Sequence, residues 1–391
     1  MRIHIERKIG EKIRKRGSLF CVLVLAGMML AGCGKEDAAS SQEGTDSAEG
    51  SELALIGAEV VSVEEAQKTV LMKIENEEIT LDDLNLYYIQ YLYNNRTGSD
   101  ALTEDKIQQI QATVVDEIMM ETAEYIVAQN TEGVEVSKEK EEEATASAAR
   151  FFNHFSKDFL GNYGIDAECV NDLFTRQAYI TALTDKAVAD MSETYLPQLE
   201  EEYADLTFHC ITYALFPSIQ YDADGNPVRN DDGSYVSLSE DELAGQLEKA
   251  EELRQRAIAG AQSGDETATL EALIKEYGIA HCSGVERNFE GAYTEQLNNA
   301  IKDLKDGEFS QVIKTDAGYM VARMDKVNDE EYKDYNLRYL ANQSAKNSIT
   351  KMQEKWAEQA KLDQVEVDKE VLDRIDLKQL SSYMEQSNLF E

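Results

Sequence analysis

Apolar positions recur at helical spacing over long stretches of this chain. Leu81, Leu84, Tyr88 and Leu92 make one stripe, and Ile107, Ile110, Val114, Ile118 and Tyr125 make a second, which predicts two amphipathic helices before Gly133. Ahead of them, residues 69–74 (TVLMKI) read as a short strand, residues 75–78 as a turn, and Thr80 as a helix cap. Residues 133–137 (GVEVS) break the period, and Ser137 caps an acidic helix over 138–149 that runs toward Phe151, Phe152, Phe155 and Phe159. Gly161 and Gly164 stop that helix, and another one containing Val170, Leu173, Phe174 and Ile180 leads to Tyr195 and Pro197.

From Leu206 the pattern changes. Residues 206–216 (LTFHCITYALF) form a β-rich apolar run bounded by Pro217, followed by turn-rich sequence up to Tyr235. Ser239 and Glu242 make a capping box for a helix whose stripe is Leu243, Leu247, Ala250, Leu253 and Ala257. Helical spacing returns at Leu270, Leu273, Ile274 and Tyr277, and again at Leu297, Ala300, Ile301 and Leu304. Two short strands, 310–314 and 319–324, separated by the turn 315–318, end the segment. The expected order is β-α-α-α-β-β, an α+β unit of about 120 residues, within the usual domain range. A long helix over 335–361, with Leu337, Ala341, Ala345, Ile349, Met352 and Trp356 on one face, needs a partner surface. The partner expected for it is the N-terminal helical region.

Charge narrows the functional classes. Lys and Arg total 38 against 76 Asp and Glu, a formal net charge of −38, which repels phosphate backbones and argues against nucleic-acid binding. The basic residues that exist are concentrated at the start: Arg2, Arg7, Lys8, Lys12, Arg14, Lys15 and Arg16. An apolar run over 19–31 (LFCVLVLAGMMLA) follows, shorter than the roughly 20 residues of a spanning helix, and it ends at Leu30-Ala31-Gly32-Cys33. That ending resembles the lipobox of bacterial lipoproteins, which implies a signal peptide over 1–32 and a diacylated Cys33 as the mature N-terminus. Residues 34–50 (GKEDAASSQEGTDSAEG) hold too little apolar bulk to order themselves and read as a tether. The remaining cysteines, Cys169, Cys210 and Cys282, are odd in number and scattered, which fits free thiols rather than a disulfide framework.

The C-terminal part of the α+β segment carries a more specific signal. Leu304, Gly307, Glu308, Ser310, Val312 and Ile313, followed by Thr315 and Gly318-Tyr319, resemble the parvulin signature L-x-x-G-E-x-S-x-(P/V)-(V/I) and T-x-x-G-(Y/W/I)-H-(I/V). Upstream, residues 207–211 (TFHCI) resemble the first parvulin strand, and residues 247–277 its helix pair. Residues 72–188 resemble the chaperone lobe of SurA- and PrsA-type foldases. The resemblance implies an α+β fold: a mostly helical lobe over 69–204, a parvulin-like peptidyl-prolyl isomerase domain over 205–328, and a C-terminal helix and tail over 329–391 that pack on the lobe, with residues 33–68 as lipidated linker.

The resemblance also implies a site. His209 matches the family's first active-site His, and His281 and Cys282 fall near its Cys or Asp position. Tyr293 and Leu297 match the pocket for the proline ring, with Phe289 and Met320 beside it; Met320 stands where the family has its second His. No cofactor is implied. The pairs His209-Cys210 and His281-Cys282 do not read as a zinc site, because neighbours on a strand point to opposite faces. Asp222-Ala223-Asp224-Gly225-Asn226 lacks the closing Glu of a calcium loop and reads as a turn. The expected function is a membrane-anchored foldase on the outer face of the cell membrane, acting on unfolded exported polypeptides with X-Pro bonds and held there through Cys33. A holdase with a lapsed parvulin domain is the alternative. A solute-binding lipoprotein is disfavoured, since no alternating α/β repeat is visible.

Overall fold

Short-range capping and one apolar stripe per helix account for most of the elements. A computed structural model describes residues 61–390, so Cys33 and its leader lie outside the described residues. The chain starts with helix α1 (Val63–Lys68), capped by Ser62, and a hairpin of β1 (Val70–Ile74) and β2 (Glu77–Thr80). Helix α2 (Leu81–Asn94) follows a Thr80/Asp83 capping box, and α3 (Glu104–Asn130) follows a Thr103 cap. Then come α4 (Lys138–Phe155), α5 (Lys157–Asn162) and α6 (Ala167–Glu202). The acidic helix runs on through the phenylalanines to Phe155 because these side chains continue its buried face: Phe151 and Phe155 are fully covered.

Next are β3 (Phe208–Pro217), α7 (Glu240–Ser263), α8 (Leu270–Glu276), β4 (Gly284–Phe289), α9 (Glu295–Ile301), β5 (Ile313–Thr315) and β6 (Gly318–Lys326). Long helix α10 (Glu330–Gln359) and short helices α11 (Lys369–Leu372) and α12 (Leu377–Gln386) complete the chain. The strands from β3 onward form one antiparallel sheet in the order β4-β3-β6-β5. Strand β4 is among the elements that the apolar pattern omits, with β2, whose first residues read as a turn, and the short helices α11 and α12. The β4 sequence, GVERNF, lies at a sheet edge and is only partly covered, so no alternation of apolar residues marks it.

The chain divides into two units, one ending at Met191 and resuming at Ser344, the other spanning Ser192–Gln343. The division falls inside α6 and α10, and both helices run unbroken through 191/192 and 343/344. In the first unit, Leu71, Ile74, Leu84, Tyr88, Phe151 and Phe155 share a core with Ala357, Ala360, Leu362, Leu377, Leu380 and Met384. Ile349 and Trp356 of α10 are buried, and Gln353 donates to Glu124 Oε1 of α3 at 3.0 Å, so the later half of α10 does pack on the N-terminal helices. Its earlier half belongs to the second unit, where Leu337 and Ala341 pack with Leu196.

Hydrogen bonds fasten the C-terminal segment to the helical unit. The Asp368 N–H donates to the Leu71 carbonyl (2.8 Å), Ser381 Oγ donates to the Thr97 carbonyl (2.7 Å), and the Ser99 hydroxyl donates to Glu385 (2.7 Å). Phe155 sits among Phe151, Phe159, Tyr93 and His154 at ring separations of 4.7–6.0 Å. Replacing Phe155 with Ala is expected to cost about 3–5 kcal/mol by cavity formation. Urea unfolding followed by fluorescence of Trp356, the chain's single tryptophan, measures the loss; a shift below about 1 kcal/mol would contradict this core assignment.

Candidate functional site

Side chains of successive strand residues alternate between faces, and the second unit covers its sheet on both. On one face, Ala214 and Phe216 of β3 and Val321 of β6 pack against Ala250, Leu253 and Ala257 of α7 and Leu270, Leu273 and Ile274 of α8. On the other, Ile211 of β3, Ile313 of β5, and Ala322 and Met324 of β6 pack against Tyr293, Leu297 and Ile301 at and along α9. Tyr213 and Met320 border this second cluster and are only partly covered. The face is thus dry at its centre and open at its border.

The β3–β6 register fixes what can meet there. Leu215 pairs with Met320 and Tyr213 with Ala322, so Tyr213 and Met320 are diagonal neighbours on one face, within reach of long side chains. His209 shares that face, but it lies six residues from Leu215 along β3, about 20 Å at strand rise. It pairs with Asn288 of β4, is buried, and leaves Nδ1 without a partner. Its carbonyl accepts a hydrogen bond from Tyr293 Oη at 3.3 Å. The structure therefore does not bring His209 together with Met320.

The other expected residues also separate. His281 and Cys282 lie in a one-turn 3-10 helix (Ala280–Cys282). The His281 ring packs tilted against the Tyr221 ring at 4.4 Å and lies against Gly225, where a β-carbon would come within 3.3 Å of the His281 β-carbon. It borders a cleft of about 320 Å³ lined also by Phe216, Tyr277 and Ile279, on the α7 side of the sheet, and serves as a support for the loop after β3. Cys282 Sγ donates to the Leu215 carbonyl at 3.1 Å, and the Leu215 N–H donates to Ser283 Oγ at 3.1 Å. These bonds tie the turn to the end of β3. Phe289 pairs with Phe208 and contacts Tyr203, on the face away from Tyr293. Of the seven expected residues, Tyr293, Leu297 and Met320 share one cluster; His281 and Phe289 lie elsewhere because neighbouring turn and edge-strand positions point to the opposite side.

Residues 234–336 match the family model described as the PPIC-type PPIASE domain. This segment is a PPIC-type peptidyl-prolyl isomerase domain. The match takes in α7, α8, β4, α9, β5 and β6, whereas β3 lies upstream of it. Over most of its length the chain is similar to the foldase protein PrsA of Lactococcus lactis, at 13% identity and TM-score 0.37, covering 82% of this chain and 99% of that one. It is also similar to the foldase protein PrsA of Streptococcus pneumoniae, at 16% identity and TM-score 0.33, covering 78% and 97%. PrsA of Bacillus subtilis matches at 16% identity and TM-score 0.20, covering 79% and 98%. No curated protein matches the chain.

The Tyr213 hydroxyl, on β3 just upstream of the matched segment, is a polar group at the border of the apolar cluster that the sequence reading missed. The signal was available: counting back from Pro217 with period two places Leu215, Tyr213 and Ile211 on one face, and Tyr213 opposes the strand that carries Met320. Burial first, then the neighbouring Glu286 and Cys282, raises its phenol above the ordinary tyrosine value, so it stays protonated and able to donate. Gly318, at φ +137°, lets β6 start directly against β3, since a β-carbon there would stand 2.0 Å from the Phe216 carbonyl oxygen. Among the described residues no three His, Cys, Asp or Glu side chains are grouped to hold a metal ion.

Burial pushes the Cys282 thiol up to about 11. Its stability contribution follows the protonated form and is lost only as pH climbs through the alkaline range. Alkylation of Cys282 by iodoacetamide is accordingly expected to be roughly a hundredfold slower at pH 7 than that of a free thiol, and to accelerate up to about pH 11. Peptide mapping of the alkylated protein reads the rate, and a profile with its midpoint near the free-thiol value would show the thiol to be exposed and uncoupled from Leu215.

Proposed function

We propose that the chain is an extracytoplasmic, lipid-anchored foldase whose PPIC-type domain isomerises X-Pro bonds in unfolded polypeptides held by the helical unit. The observation that carries this reading is the coincidence of the family match over 234–336 with an apolar, half-open sheet face. The barrier to X-Pro rotation is about 20 kcal/mol and arises from amide resonance. A site lowers it by holding the twisted peptide, in which that resonance is lost, and no covalent step is needed. Partly covered Met320, backed by buried Leu297 and Ile313, offers the proline ring an apolar surface, and Tyr213 offers a donor at its border that can bond the carbonyl or the pyramidal nitrogen of the twisted form.

A second reading is favoured by one specific observation. Tyr213 and Met320 are diagonal neighbours on β3 and β6, so neither position holds an imidazole and no pair of histidines bridges the two strands there. In that reading the domain binds proline-containing segments without turning them over, and the protein is a holdase. Location rests on Leu30-Ala31-Gly32-Cys33 and the basic, then apolar, leader before it; two acyl chains on Cys33 would anchor the folded units by the 34–50 tether. Basic residues are sparse between Pro217 and Glu240. The Arg229 guanidinium there already donates to the Gly233 carbonyl and covers the Tyr235 ring, so phosphorylated Ser-Pro peptides are expected to gain no advantage.

Isomerisation of an unphosphorylated X-Pro tetrapeptide separates the readings. Wild type is expected to accelerate it, Tyr213→Phe to lose about 10²-fold through removal of the proposed donor, and His209→Ala to keep its rate if it folds. An unaffected Tyr213→Phe refutes the assigned donor; inactive wild type that gains turnover as Met320→His establishes the holdase reading. Membrane extracts provide the test of location: mass spectrometry is expected to find an acylated peptide starting at Cys33, and Cys33→Ala to accumulate as unprocessed precursor. Normal processing of that variant would overturn the anchor.

A further inference from the structure

Helix α3 carries a feature that the isomerase site does not use. Glu117, Glu121 and Glu124 follow one another at intervals of four and three residues, which sets them on one face of the helix. Glu124 is 1% exposed. Gln353 of α10 donates to its Oε1 at 3.0 Å, while its Oε2 is buried without a partner. Tyr87 of α2 donates to Glu121 Oε2 at 2.6 Å, and Gln177 of α6 also bonds Glu121 while its own Oε1 stays buried and unpaired. The charged and titratable neighbours are few. Tyr87 and Asp83 face the group from α2, Glu77 from β2, Arg176 from α6, and Tyr125 from α3 itself; α10 contributes the neutral Gln353. Arg176, the one cation facing the cluster among the described residues, stands 3.5 Å from Glu77 and faces Asp83 as well, so it cannot neutralise three carboxylates.

We infer that Glu117, Glu121 and Glu124 form a proton-holding cluster that fastens α3 to α2, α6 and α10, and that loss of its protons loosens α3 from them. Ionised, Glu124 Oε2 is an acceptor with no donor and carries charge where water cannot reach; protonated, it gains a hydrogen of its own. Burial and the adjacent Glu121 push both Glu117 and Glu124 up to about 8, and burial raises Glu121 too. The sign follows. A carboxyl that titrates higher in the folded than in the unfolded chain favours folding fully below the unfolded value of about 4.5, and its contribution declines as pH rises from there to about 8. The helical unit is therefore tighter in mild acid than in mild alkali, the opposite of what salt-bridged carboxylates produce.

The test uses the whole chain. Carbon-13 NMR of glutamate-labelled protein is expected to show the carboxyls of Glu117 and Glu124 titrating near or above neutrality while surface glutamates titrate near 4.5, with Glu117→Gln and Glu124→Gln assigning the signals. Hydrogen exchange, corrected for the intrinsic pH dependence, is expected to lose about tenfold protection in α3 between roughly pH 6 and pH 9 in wild type and to stay level in the double Gln variant. Carboxyls that all titrate below about pH 6 would overturn the inference, as would parallel loss of protection in wild type and variant. Should the double variant fail to fold, the wild-type titration decides alone.

Discussion

The backbone ladder of β3 sets the positions on which the PPIC-type unit depends. This strand pairs with β4 on one side and β6 on the other, and both of its faces are covered. A parity slip of one residue would exchange Phe216 and Ala214 for Leu215 and Tyr213 between the faces, removing the phenol from the apolar cluster and presenting it to α7. The strand is held against such a slip at several points. Leu215 is bonded on its N–H by Ser283 and on its carbonyl by Cys282, Gly318 admits the β6 backbone beside Pro217, and the Asp329 N–H donates to the Phe208 carbonyl at 2.6 Å. Thr212 adds a side-chain bond to Asp325 of β6 at 2.5 Å.

In the helical unit the governing constraint is different, because its core draws on segments far apart in sequence. Leu71 and Leu377, or Phe159 and Tyr383 at a ring separation of 5.2 Å, meet only after more than two hundred residues of loop have been closed. Loop length itself adds little to that cost, since closure entropy grows only logarithmically. What is required is a surface able to hold the returning segment, and the apolar patch of α2, α4 and α5 supplies it. Glu124 and Gln353 show that polar groups accompany the returning helix into the core.

Much of this was legible in the sequence. The stripes of α2, α3 and α7, the Ser239 capping box, the turns at Gly307 and Gly318, and the packing of Ile349 and Trp356 all follow from periodicity and cap chemistry, which act within a few residues. The site was less legible. His209 was named because it matches the family's first active-site His, but which side chains meet Met320 is set by pairing partners more than a hundred residues away, which a single sequence does not state. Tyr213 was not singled out within the apolar run of 206–216, and β4 was missed since edge strands need no apolar alternation. Glu117, Glu121 and Glu124 read as part of a solvated face; nothing local in the chain announces that α10 will return to cover them.

The return of residues 344–390 to the first unit also fixes an order of events. A chain that becomes available from its N-terminus onward presents α2 to α5 before Leu377, Leu380 and Met384 exist beside them, so the helical unit must wait with its apolar patch uncovered. The sheet unit has no such delay, for all its strands lie between Phe208 and Lys326. The domain that acts on proline bonds can therefore be complete while the rest of its own chain is still an unfolded polypeptide tethered to it.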